Sequence, residues 1–183
     1  KKSKRLLASK KRKQQTKQKR KKETIKQNFE ANSPPQQLLI SLFEHYQDGR
    51  YSDAEKLALS ITREFPNHQF GWKVLGPVLK QMGRTGDSLT ATQQSVKLAP
   101  QDAEAHNNLG NVLIIQGKLD EAIEAYSSAL SLKPNYADAY NNLGSALKIQ
   151  GKLEEALEAH NKALSFKPDF ADAYNNMGNI LID

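Results

Sequence analysis

A repeat with a period of 34 residues constrains this chain more than any other feature. The stretch AEAHNNLGNVLIIQGKLDEAIEAYSSALSLKP, beginning at Ala103, returns 34 residues later as ADAYNNLGSALKIQGKLEEALEAHNKALSFKP. The same shift relates Pro66 to Pro100, Pro134 and Pro168, and Gly49 to Gly83, Gly117 and Gly151. A fixed period of this length marks a solenoid: one unit is too small to hide its apolar face, and its neighbours complete it. With the proline set at position 32, the units run 35–68, 69–102, 103–136, 137–170 and, in part, 171–183. Residues 1–34 stand apart as a basic arm, disordered or transiently helical, closed by the helix-breaking Asn32–Pro35.

Each full unit predicts two helices of about 13 residues joined at the glycine of position 15. In the third unit Leu109, Val112 and Leu113 follow helical spacing, and Gly117 suits the left-handed residue that ends a helix. Asp120 and Glu121 complement the positive N-terminus of the next helix. Ala122, Ile123, Ala125, Tyr126, Ala129 and Leu130 supply its apolar face, and Lys133 and Pro134 end it. Gly110 and Gly144 are expected to let the two helices of a unit approach, with Tyr126, Tyr140 and Tyr174 filling larger gaps. Pro77, in the middle of a predicted helix, predicts a kink.

These residues resemble the tetratricopeptide repeat (TPR) family, including bacterial TPR proteins. The pattern is a large residue at position 4, Leu-Gly at 7 and 8, a bulky residue at 11, Ala at 20, an aromatic at 24, Ala at 27 and Pro at 32. His106, Leu109, Gly110, Leu113, Ala122, Tyr126, Ala129 and Pro134 fit it in the third unit. Tyr140, Leu143, Gly144, Leu147, Ala156, His160, Ala163 and Pro168 do so in the fourth. The second unit opens with Trp72, Leu75, Gly76 and Leu79 and then drifts; the first, crowded with leucines, reads as an atypical terminal repeat. The resemblance implies an all-α fold, a right-handed superhelical solenoid of helix-turn-helix repeats. It also implies that helix A positions 2, 5, 6, 9, 12 and 13 line a concave inner face.

That inner column is asparagine: Asn107, Asn108 and Asn111, then Asn141 and Asn142, then Asn175, Asn176 and Asn179. Asparagine is a mediocre helix former, so eight of them in helices argue for a purpose. A carboxamide both donates and accepts, which suits it to grip an extended peptide's backbone whatever its side chains. The same property would let these residues stitch adjacent helices, and the sequence leaves both readings open. Position 6 asparagines, Asn108, Asn142 and Asn176, resemble the asparagine ladder in the N-terminal repeat domain of O-linked N-acetylglucosamine (O-GlcNAc) transferases. The family's clamp for a chain-terminal carboxylate wants Lys at position 5 and Asn at position 9. Lys73 fits, but Pro77 replaces the asparagine. Lys73, Lys80 and Lys148 still lend the groove positive character.

Three function classes follow. The first is a protein- or peptide-binding scaffold. The second is the substrate-recruiting part of a longer O-GlcNAc-transferase-like or other transferase, which suits a sequence that starts without Met and stops inside a repeat. The third rests on charge: residues 1–30 carry 14 Lys/Arg against Glu23 and Glu30, a net +12, whereas residues 31–183 carry 13 against 18, a net −5. Such an arm neutralises phosphates on nucleic acid, ribosome or anionic lipid, or is a solvated tail. No cofactor, metal site or catalytic constellation is expected: the four histidines lack ligand spacing, and His106 and His160 occupy packing positions. The chain has no cysteine, no apolar run near the roughly 18 residues of a membrane span and no secretory leader, so a cytoplasmic setting is expected.

Overall fold

The computed structural model describes residues 33–182, so the expectations for residues 1–30 lie outside the described residues. The described residues form helices α1 (Gln36–Gln47), α2 (Tyr51–Glu64), α3 (Gln69–Gln81), α4 (Thr85–Leu98), α5 (Ala103–Ile115), α6 (Leu119–Leu132), α7 (Ala137–Ile149), α8 (Leu153–Phe166) and α9 (Ala171–Ile182), with no strand among them. Odd-numbered helices are the A helices of successive repeats and even-numbered ones the B helices. Consecutive helices pack on one another, and each A helix also approaches the next A helix closely, whereas no two B helices come as near. The array therefore bends toward its A side.

The turns are copies of one solution. Gly49, Gly83, Gly117 and Gly151 sit at φ between 71° and 78°, the left-handed region that glycine enters without strain. The residue after each glycine donates its N–H back across the helix end, Lys118 to the Leu113 carbonyl and Lys152 to that of Leu147, each at 3.0 Å. This is the pairing that satisfies the last carbonyls of a helix. Asp120 and Glu121 occupy the first turn of α6, and Glu154 and Glu155 that of α8, as the dipole favours.

Inside a unit, the position 8 glycine lets the two helices approach, as expected, by making room for the side chain at position 24. A Cβ on Gly110 would lie 2.5 Å from Tyr126 Cε1, and one on Gly144 would lie 2.8 Å from His160 Cε1. Ala122, Ala129, Ala156 and Ala163 are fully buried around these rings. Position 4 closes the joint to the preceding unit. The Trp72 indole N–H donates to the Pro66 carbonyl at 2.9 Å, and His106 Nε2 lies 2.9 Å from the Pro100 carbonyl, which assigns the proton to that nitrogen. Tyr140 reaches the end of the next B helix, stacking on Phe166 with ring centroids 5.9 Å apart. Tyr174, expected to fill a gap, is instead exposed, because its unit carries helix A alone in this sequence. The helix containing Pro77 runs unbroken from Gln69 to Gln81; the proline removes one backbone donor there without ending the helix.

Candidate functional site

The A helices present the asparagines in two columns with different work. In the fourth unit, Asn142 (position 6) donates from Nδ2 to Oδ1 of Asn107, position 5 of the preceding unit, at 3.0 Å. One repeat later Asn176 donates to Asn141 Oδ1 at the same distance, and it also reaches Ser145 Oγ at 3.3 Å. Asn107 and Asn141 are buried at 5% and 7% exposure, so both are acceptors sealed inside a stitch between neighbouring A helices. Asn142 retains its carbonyl oxygen and one N–H after the stitch, and Asn176, whose two N–H groups serve Asn141 and Ser145, retains its carbonyl oxygen. Asn175 and Asn179 are exposed, and Asn108 and Asn111 half-buried.

The stitch starts only at the third unit because position 5 of the second unit is Lys73, which is engaged elsewhere. Its ammonium lies 3.0 Å from Asp102 and 2.5 Å from Glu104. Burial acts to lower the Lys73 pKa, but the bonds to Glu104 and Asp102 outweigh it and the net shift is upward. Burial likewise acts to raise Asp102, and the bonds from Gln69 and Lys73 bring it below the ordinary carboxylate range. Gln69 donates to Asp102 at 2.7 Å, and the other Asp102 oxygen caps α5 by accepting from the Glu104 and Ala105 N–H groups. Lys73 is thus a joint between repeats, with both carboxylates in place. Lys148 donates to the Asn179 backbone carbonyl at 3.3 Å, joining α7 to α9.

Between α3, α5 and α7 a cavity of about 300 Å3 opens on the A face. Lys80, Asn111, Ile114, Asn142, Ser145 and Ile149 line it, with Tyr126 of α6 beneath. The Tyr126 hydroxyl donates to Asn111 Oδ1 at 2.9 Å, and its burial pushes the phenol's pKa well above the usual tyrosine range. Ser145 Oγ donates to the Asn141 carbonyl at 3.0 Å, leaving its lone pairs for Asn176. Of the residues singled out in the sequence, this cavity brings together Asn111, Asn142 and Lys80. Asn107 and Asn141 lie beneath, in the stitches. Ser145, Ile114 and Ile149 were not named from the sequence, although all three fall at inner positions 9, 12 and 13.

Among the described residues no group of three or more His, Cys, Asp or Glu could hold a metal ion, and no helix is long and apolar enough to cross a membrane.

Comparison with known proteins agrees with this architecture. Residues 110–149 and 144–182 match the family described as TPR repeat, and residues 91–124 match that described as Tetratricopeptide repeat. Comparison with curated proteins finds no match. Among solved structures, MamA is 28% identical, with a TM-score of 0.68 over 76% of this chain and 81% of that one. YrrB, described as a TPR protein with an unusual peptide-binding site, is 27% identical, with a TM-score of 0.65 over 72% of this chain and 68% of that one. The Thermobaculum terrenum O-GlcNAc transferase is 25% identical, with a TM-score of 0.68 over 71% of this chain but only 25% of its own length. The family matches together span residues 91–182, half of the sequence, and the helix pairs continue the same pattern on their N-terminal side: the chain belongs to the tetratricopeptide repeat family.

Proposed function

We propose that this chain is a scaffold that holds an extended segment of a partner protein along its A face. The observation that supports it is the layer of carboxamides fixed in place by the stitches. Each stitch leaves hydrogen-bonding capacity on the open side, and preorganised polar groups bind an extended backbone at little entropic cost. The peptide-binding site of YrrB, a similar protein, favours the same reading. The proposed contact residues are Asn108, Asn111, Asn142, Asn176 and Lys80, with Asn107, Asn141 and Lys73 as their support. The test is affinity capture with the full chain and with the Asn108→Ala/Asn142→Ala double variant, folding of both being checked by circular dichroism. Partners lost from a folded double variant bear the proposal out, and an unchanged set retained by it overturns the proposed surface.

A second reading follows from the likeness to the Thermobaculum terrenum enzyme: the chain as the substrate-recruiting segment of a longer glycosyltransferase. A stop codon directly after Asp183 in the natural reading frame would exclude it. A third gives the basic arm its own role on an anionic partner. It expects RNA binding that falls steeply from about 50 to 200 mM salt and is lost on deletion of residues 1–30.

A further inference from the structure

The cavity between α3, α5 and α7 is lined by hydrogen-bond donors together with aliphatic side chains, and that composition selects a ligand. The Tyr126 hydroxyl occupies Asn111 Oδ1, so the Nδ2 end of that amide is the one left to a ligand. Asn142 has one N–H committed to Asn107 and a second uncommitted. Lys80 makes no ion pair among the described residues, in contrast to Lys73 with its two carboxylates. The acidic residues of the A face, Glu104, Asp138 and Asp172, sit at position 2, about 15 Å along the helix from position 12, where Lys80 lies. Ile114 and Ile149 line the same cavity, and Ile149 is 58% exposed. An ammonium and two amide donors lining one cavity with aliphatic side chains are satisfied together by a group that only accepts and carries negative charge, next to an apolar one.

We propose that this cavity is a specificity subsite for a side-chain carboxylate next to an aliphatic residue in the partner's segment. The inference rests on the reading of the A face as a peptide site and adds the chemistry that the peptide must carry. It commits to a side chain over a chain end because A helices flank the cavity on both sides, so a segment can continue past it in each direction. The clamp for a terminal carboxylate is a different arrangement, and its lysine position, Lys73, is already occupied by Asp102 and Glu104.

The test uses the full chain and fluorescence anisotropy with labelled, C-terminally amidated peptide pools. Their central pair is Leu-Glu, Leu-Gln, Ala-Glu or Leu-Lys between degenerate flanks. The Leu-Glu pool is expected to bind about fivefold to tenfold tighter than Leu-Gln, with Ala-Glu weaker than Leu-Glu. Lys80→Glu, checked for folding by circular dichroism, is expected to invert the preference toward Leu-Lys; the basic arm is the same in both chains and cannot produce that inversion. Equal binding of the Glu and Gln pools, or a Lys80→Glu chain that still prefers Leu-Glu, overturns the subsite while leaving the peptide groove standing. Pools with a free C-terminal carboxylate that bind tighter whatever their central pair would move the site to chain ends and overturn the choice of a side chain. No binding of any pool overturns the groove reading and this inference with it.

Discussion

At the scale of single residues, the position 8 glycines and their partners make opposite predictions for one substitution. Gly110→Ala drives a Cβ into the Tyr126 ring and is expected to destabilise by about 1–3 kcal/mol in urea unfolding. Gly178→Ala, with nothing within 4 Å of the added atom, is expected to be neutral or to stabilise by up to about 1 kcal/mol through helix propensity. His160 carries a second prediction. It fills the place that Tyr126 takes one repeat earlier, is fully buried, and neither ring nitrogen has a partner. Burial lowers its pKa below the ordinary histidine value, so the unfolded chain takes up its proton first. Stability is therefore full above about pH 6.5 and falls as pH drops below that value. His160→Phe should flatten the decline between about pH 6.5 and 5. An unchanged slope would assign the proton uptake to His68, whose pKa burial also lowers.

At the scale of elements, the two asparagine columns separate under mutation. Asn107→Ala leaves the Asn142 amide without its acceptor inside the stitch and is expected to cost about 1–2 kcal/mol, measured by urea unfolding. Asn175→Ala, the same residue type at the same position of the last unit but exposed, is expected to change stability by less than about 0.5 kcal/mol. Pro77→Ala restores a backbone donor inside α3 and is expected to stabilise by about 1–3 kcal/mol; a loss of stability would mean that the surrounding helices are shaped to the proline. The helices themselves were legible in the sequence because glycine and proline punctuate every unit at a fixed spacing, and α3 and α5–α8 fall where that spacing places them. The division of labour among the asparagines was not. Positions 5 and 6 are adjacent in sequence and identical in residue type, and only the offset between neighbouring units decides which one is sealed. Lys73 shows the same limit: its partners, Asp102 at the last position of its own unit and Glu104 in the next, straddle a repeat boundary, and periodicity does not say which residues meet there.

At the scale of the whole molecule, stability is a sum of units and the joints between them. The joints are unequal. The second and third units are tied by Lys73 on Glu104 and by Asp102 capping α5, the third and fourth by Asn142 on Asn107 and Gln150 on Asp120, and the fourth and fifth by Asn176 on Asn141. Helix α9 has neighbours on one side only, and Leu181 and Ile182 are exposed at 71% and 85%. Hydrogen exchange is expected to be fastest in α9 and slowest in α5–α7, and equal protection throughout would show that the chain unfolds as one cooperative block.

The one-residue offset of the asparagine stitch also gives the array a grammar. Each unit hands a donor backward from position 6 and offers an acceptor forward from position 5, so a unit bearing Asn-Asn can follow, and be followed by, a copy of itself. The second unit, with Lys73 and Val74 at those places, can do neither; it can only stand at the head of such a run. A copy of a unit bearing Asn-Asn can thereby enter on the C-terminal side of the Asp102 joint with its stitch intact, whereas the joint between the first and second units is made by packing without one.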